Sequence, residues 1–296
     1  MRELKGIVPA TATPFGKDGT FDPQAMRRIV RHQVDAGVHG LYICGGTGEG
    51  LLMTVEEHKE ALETVLDEVA GRAAVIAHIG AFRTDETVAL ARHAGEAGAD
   101  AIAALPPAYF YRPDEEGLVR YYAEVADASD LRLLIYNIPA RTGIAMTESL
   151  FERLLGLDSI VGMKDSSGDI FALGHFLTIG DDPVIFEGED TVLLPAMLAG
   201  AHGGIGATYN IMPQLFVRLW DTLQAKDIDA AAVMQQRINE VIRALLVVDT
   251  FGGVKQTMSW MGLECGHPRT PNRPLTEAET ATLRRSLEGA GFFELP

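Results

Sequence analysis

Lys164 closes the run Ile160-Val161-Gly162-Met163-Lys164-Asp165-Ser166-Ser167, in which apolar residues give way to one lysine and then to small polar side chains. The pattern places an amine at the C-terminal end of a β-strand. An unpaired ammonium in a strand core is costly, so a lysine there belongs either to chemistry or to a solvated strand exit, and this run alone leaves both open. Of the six lysines, Lys5 precedes the first apolar run, Lys17 lies in an open Gly/Asp loop, and Lys59, Lys226 and Lys255 fall in helical stretches or at their ends. Lys164 is the one amine at a plausible catalytic strand end.

Two further stretches carry groups that suit it. Tyr136-Asn137-Ile138-Pro139-Ala140-Arg141-Thr142-Gly143 offers a phenol at a strand tip and an arginine just beyond. A tyrosine there either fills the rim or moves protons for a neighbouring amine. Cys44-Gly45-Gly46-Thr47-Gly48-Glu49-Gly50 is a turn whose glycines bring backbone N–H groups close to an anion, with the Thr47 hydroxyl as a further donor. It suits a carboxylate, and it lacks both the Walker lysine and the GxGxxG spacing of nucleotide sites. Metal chemistry is the rival, because Glu187, Glu189 and Asp190 cluster together and His78 ends another apolar run. No two histidines have HxH or HExxH spacing, and charged residues at strand exits more often meet solvent or a substrate's polar groups, so no metal is expected.

Groups so far apart in sequence need a frame that collects strand ends. Eight short runs recur, at residues 7–13, 40–44, 74–79, 101–105, 133–136, 160–164, 183–187 and 204–207. Their spacing accommodates a strand plus a helix each time. Asp22-Pro23 supplies an N-cap and an N1 proline, Met26, Ile29, Val30 and Val34 form an apolar stripe, and Gly37 ends that helix. Thr54 and Glu57 make a capping box. Ala-Gly pairs at 36–37, 97–98 and 199–200 each lead from a helix into the next strand, a weak internal repeat of βα units. Eight such units favour a closed parallel barrel over an open sheet, and its chemistry belongs at the strand C-termini. In that barrel the fifth and sixth strands are neighbours, so Tyr136 approaches Lys164.

Strand signals stop after Asn210. Residues 227–248 have Ala231, Met234, Ile238, Val241, Ile242 and Leu245 at helical spacing, residues 254–261 suit a second helix, and Thr276-Glu277-Ala278-Glu279 caps a third. The expected organisation is therefore a TIM (β/α)8 barrel over residues 1–224 and a helical extension over 225–296, with 268–274 a loop inside that extension.

The 296 residues, 47% hydrophobic and 22% charged, are ample for a large core. No stretch approaches the roughly twenty apolar residues of a membrane span, and the first ten residues hold no signal-peptide core, so a cytoplasmic protein is expected. A net charge of −16 argues against nucleic acid and anionic membranes as partners. Cys44 and Cys265 are in neither CxxC nor zinc spacing and are expected as buried thiols.

With residues 45–49, 136–143, 164–169 and 203–212 all in order along eight strand units, the chain resembles the dihydrodipicolinate synthase and N-acetylneuraminate lyase family over essentially its whole length. The resemblance implies a TIM barrel, a Schiff-base lysine with no other cofactor, and a homotetramer built as a dimer of dimers. By motif, Lys164 would form the imine, Tyr136 would be the acid/base phenol, and Gly46, Thr47 and Gly48 would hold the carboxylate of pyruvate. Ser166, Gly188, Asp190, Ile205 and Ala207 complete the implied substrate contacts.

Departures bear on the substrate. The synthases carry two threonines in the turn and a relay tyrosine from a neighbouring subunit, and here those positions are Gly46 and Phe110, neither of which relays a proton. Arg141 matches the synthase arginine that holds the aldehyde's carboxylate, whereas Gly50, Leu51 and Val55 do not resemble a lysine-feedback site. Residues 203–212 and 48–52 are closer to the neuraminate lyases, although Thr191 lacks the carboxylate of that branch and Arg141 is foreign to it. The expectation is a lyase that cleaves a 2-keto-3-deoxy acid to pyruvate and a small aldehyde, or runs the reverse. Dihydrodipicolinate synthase is the alternative, with a sugar-acid dehydratase or a non-catalytic 2-oxo-acid sensor behind it.

Overall fold

Each of the eight apolar runs becomes a short parallel strand, buried almost throughout, in a computed structural model that describes residues 2–108 and 111–295. The strands are β1 (Gly6–Pro9), β2 (Gly40–Ile43), β3 (Ala74–His78), β4 (Ala101–Ala104), β5 (Arg132–Asn137), β6 (Ile160–Asp165), β7 (Val184–Glu187) and β8 (Gly203–Gly206). They pair in the order β1-β8-β7-β6-β5-β4-β3-β2. The seam between β1 and β2 is carried by a parallel bridge from Ala10 to Tyr42 and by His39 N donating to Ile7 O at 2.9 Å, so the sheet curls into a TIM barrel.

The first strand is shorter than the run at 7–13 suggests. Thr11 and Thr13 continue a strand-like alternation, but the Ala12 amide donates to the side chain of Asn210 at 3.0 Å instead of to a neighbouring strand. The other runs agree with the strands to within one or two residues at either end.

The helices alternate with the strands as α1 (Pro23–Asp35), α2 (Val55–Val69), α3 (Thr84–Ala97), α4 (Glu115–Ala126), the single turn α5 (Pro139–Thr142), α6 (Glu148–Leu155), α7 (Ile170–Phe176), α8 (Leu193–Ala199) and α9 (Pro213–Gln224). Three more follow, α10 (Ile228–Leu245), α11 (Thr250–Trp260) and α12 (Glu277–Gly289). Asp22 caps α1 with Pro23 at its first position, and Thr54–Glu57 and Thr276–Glu279 form reciprocal capping boxes. Outward-facing strand residues pack against these helices, while Val8, Ala10, Tyr42, Ile76, Ala101, Ala103, Leu134, Phe186 and Ile205 fill the barrel interior. Among the described residues no helix is long and apolar enough to cross a membrane.

One irregularity decides what the barrel presents. Leu133 pairs with Ile160 but Leu134 pairs with Gly162, so β6 carries one extra residue, Val161, at a bulge. Ile160 faces the helices and Val161 the interior. Strict alternation would then turn Lys164 outward. The bulge resets the phase, and Lys164 lies beside Tyr136, on the inner face.

Candidate active site

The Lys164 amine lies 4.2 Å from the ring centroid of Tyr136 and 4.7 Å from that of Tyr42. Lys164 and Tyr136 are only 4% and 6% exposed, so both belong to the barrel's inner wall and neither is a solvated strand exit. His78, at the end of β3, completes the group, its ring centroid 5.8 Å from that of Tyr136 and 5.9 Å from that of Tyr42. His78 Nδ1 is 3.0 Å from Cys44 O; a carbonyl only accepts, so Nδ1 carries the proton and Nε2 is left as a buried acceptor with no partner among the described residues. Burial holds this imidazole down to about 3, and burial raises the Tyr42 phenol well above its ordinary value. Both rings are therefore neutral near pH 7.

The turn after β2 stands at the same end of the barrel. Gly50 N donates to Gly45 O at 3.1 Å and Glu49 N to Gly46 O at 3.0 Å, which folds the segment back on itself. The amides of Gly46, Thr47 and Gly48 donate to no described residue, and they form a cluster of donors of the kind that holds a carboxylate. A side chain at Gly46 would meet nothing within 4 Å, so the space beside Thr47 is open.

Gly188 and Ser166 border the lysine. A Cβ on Gly188 would meet the Ser166 hydroxyl at 1.9 Å and Lys164 Cε at 3.0 Å, so only glycine lets the β7 loop approach this closely. Ile205 lies in the interior cluster, and Ala207 is half-buried at the tip of β8. Asp190 is buried, with Oδ2 accepting from Thr208 N at 2.8 Å and from its hydroxyl at 2.6 Å, while Oδ1 has no partner among the described residues. Burial pushes this carboxyl up to about 6, against those hydrogen bonds and the Lys164 charge. Arg141 is exposed at the rim on α5. Phe110 lies outside the described residues.

Glu187 and His78, which the sequence offers together as metal ligands, occupy different places. Glu187 follows the inward-facing Phe186 and belongs to the outer row with Asp165 and Asn137, whereas His78 is inside the barrel. In that row Asn137 Nδ2 donates to Asp165 at 2.8 Å and Glu187 accepts from Glu189 N at 2.7 Å. Burial, reinforced by the nearby Asp165 charge, pushes Glu187 up to about 8.

A model of the dihydrodipicolinate synthetase family matches residues 3–290. The chain belongs to that family. It is 38% identical to the N-acetylneuraminate lyase of Rhizobium meliloti (strain 1021) over 96% of this chain and 95% of the relative. It is 41% identical to a 4-hydroxy-tetrahydrodipicolinate synthase of Thermus thermophilus, over 98% and 97% of the two chains. In three dimensions it matches a sialic acid aldolase of Ruminococcus gnavus, solved as a catalytic lysine mutant, with a TM-score of 0.93, 31% identity and 98% coverage of both chains. Both branches are thus represented at similar distance, and identity does not choose between them.

For this family member, sequence reasoning missed Tyr42 and His78 as companions of the lysine. Period-two alternation through β2 and β3 was the available signal, since Leu41 and Ala77 face outward. It also treated Lys255 as an ordinary helical lysine. The Lys255 amine lies 2.6 Å from Glu49 Oε1 in an ion pair whose side chains are 2% and 1% exposed, directly behind the Gly45–Gly50 turn. No local pattern reports that contact.

Proposed function

We propose that the protein cleaves a 2-keto-3-deoxy acid to pyruvate and an aldehyde, or runs the reverse condensation, through an imine on Lys164. A lyase of the class I, lysine Schiff-base type is what its family membership makes it; the preferred substrate is our reading. The carrying observation is one amine held between two phenol rings at the strand C-termini, with a turn at the same end of the barrel whose three amides donate to no described residue. N-acetylneuraminate is one candidate substrate, and no metal or other cofactor is required.

In this scheme the Lys164 amine in its neutral form attacks C2 of the keto acid, and the carbinolamine hydroxyl leaves as water with the proton of the Tyr136 phenol, giving a protonated imine and a Tyr136 phenolate. Thr47 and the amides of Gly46 and Gly48 hold the C1 carboxylate, with Ser166, Gly188, Asp190, Ile205 and Ala207 around the remainder and Arg141 toward its outer end. Tyr136 takes the C4 hydroxyl proton as the C3–C4 electron pair flows into the imine, so an aldehyde leaves and an enamine remains. Protonation at C3 and hydrolysis release pyruvate and restore the amine. A homotetramer and a cytoplasmic setting belong to the same proposal.

The second reading is condensation of pyruvate with aspartate semialdehyde, favoured by Arg141 and by the Thermus thermophilus relative. Gly46 weighs against it, because no hydroxyl stands in the open space beside Thr47.

Borohydride with pyruvate should trap a single adduct on Lys164, located by peptide mass spectrometry and lost in Lys164→Ala. Tyr136→Phe should still trap but turn over on the order of a hundredfold more slowly. Across a panel, a 2-keto-3-deoxy acid should exceed pyruvate plus semialdehyde in kcat/KM by about tenfold or more, roughly 1.4 kcal/mol. The reverse ranking would make the synthase reading the better one, and pyruvate binding without turnover of any 2-oxo acid would point to a sensor.

A further inference from the structure

The Gly45–Gly50 turn is bounded by two residues in a backbone conformation that side chains disfavour. Cys44 has φ 56° and Glu49 has φ 55°, the left-handed region, and neither is glycine. Such geometry persists only where surrounding contacts over-determine it. At the Cys44 end His78 of β3 holds the Cys44 carbonyl, and just past Glu49 His58 Nε2 of α2 lies 2.9 Å from the Gly50 carbonyl.

The Glu49 end is braced from far along the chain. Its carboxylate meets the Lys255 amine at 2.6 Å and accepts from the Arg269 amide at 2.7 Å, while Lys255 also donates to His267 O at 3.2 Å. The Arg269 guanidinium donates to Leu52 O at 2.8 Å and to both Glu57 oxygens at 2.9 and 2.7 Å, fixing the segment that follows the turn. Two opposite charges this deeply buried are a poor way to gain stability, since well-packed apolar residues of similar volume usually do as well or better. They do specify one geometry, and the geometry specified here is that of the three free amides.

We propose that Glu49 and Lys255 are positioning residues for the substrate carboxylate: the buried pair locks the turn from the C-terminal helices so that the amides of Gly46, Thr47 and Gly48 converge on one anion. The proposal rests on the reading of that turn as the carboxylate site. Neither side chain touches the substrate. Loss of the pair loosens the amides and weakens capture of the carboxylate, while Lys164, held in the sheet between β5 and β7, keeps its chemistry.

The test compares pyruvate with methyl pyruvate, which offers the same carbonyl without the charge. The variant is the pair Glu49→Gln with Lys255→Met, in which the amide oxygen still accepts from the Arg269 amide and no buried charge is stranded; Glu49→Gln with Lys255→Leu, equally free of a stranded charge, is read in its place should the first pair melt below the assay temperature. In borohydride trapping, the half-saturating pyruvate concentration should rise about tenfold with the adduct yield at saturation unchanged, whereas that for methyl pyruvate should move less than about twofold. Unchanged pyruvate affinity, or equal shifts for both probes, would overturn the proposal. Calorimetry of pyruvate on Lys164→Ala protein reads the turn without the imine. Weaker pyruvate there in the pair variant supports the clamp even where no adduct forms, so failure of the imine chemistry and failure of the clamp are separate results.

Discussion

Glu187 is the acidic side chain least at home in its surroundings. It is 1% exposed, one oxygen accepts from the Glu189 amide, and the other has no partner among the described residues. With its folded value pushed to about 8, above the ordinary 4.5, the folded protein holds a proton that the unfolded chain has already lost. Its favourable contribution is complete below about pH 4.5 and is lost as pH rises through about 8. Asp190 acts in the same sense over a lower window, from 3.8 to about 6. Glutamine reproduces the neutral acid without the titration. Melting of Glu187→Gln against the parent between pH 5 and pH 9 should therefore show the variant gaining with pH up to about 8, by a few kcal/mol as an order of magnitude, and levelling off beyond it. A difference independent of pH would mean that Glu187 is ionised in the folded protein throughout.

At the scale of the element, the bulge in β6 decides whether this barrel has an inward lysine. Gly162 makes it possible: its φ is 155°, and a Cβ there would meet the Val184 carbonyl oxygen at 1.9 Å and the backbone nitrogen of the same residue at 2.7 Å. Backbone cannot turn aside as a side chain can. Gly162→Ala should then lower stability by about 1–3 kcal/mol, as overpacking does, and also diminish trapping on Lys164, because β6 must shift in register or position. Gly174→Ala in α7 is the control: its Cβ would meet nothing within 4 Å, and a helical glycine replaced by alanine should gain about 0.5–1 kcal/mol. Equal behaviour of the two variants in thermal melting and in trapping would remove the bulge from the argument.

For the whole molecule, the C-terminal helices are tied to two loops of the candidate site. Lys255 and Arg269 hold the turn after β2, and Gln235 and Asn239 of α10 hold the segment that carries Asp190: Gln235 accepts from Leu194 N at 2.9 Å and donates to Asp190 O at 3.1 Å, and Asn239 donates to Thr191 O at 3.0 Å. Ala231, Ile238, Val241 and Leu245 of α10 are fully buried as well. We propose a division at residues 224 and 225 that is organisational rather than energetic. A fragment of residues 1–224 should show no cooperative thermal transition by far-UV circular dichroism, since removing the helices strips apolar cover and buried hydrogen-bond partners together. A fragment that melted like the full chain would make the extension dispensable to the barrel.

By itself the sequence determined the eight strand–helix units, the caps at Asp22, Thr54 and Thr276, and the placing of Lys164, Tyr136 and Thr47 at strand ends, because these follow from periodicity and local hydrogen bonding within a few residues. It also carried the family, since four motifs in order leave little freedom. The tertiary structure alone decided which way Lys164 points, because one bulged residue reverses every side chain after it without altering composition or spacing. It alone gathered Tyr42 of β2 and His78 of β3 with Tyr136 and the amine of β6. It alone joined Glu49 to Lys255 and to Arg269, 220 residues further on, because a buried ion pair is specified by where two elements meet in space, and nothing in either local segment encodes its partner.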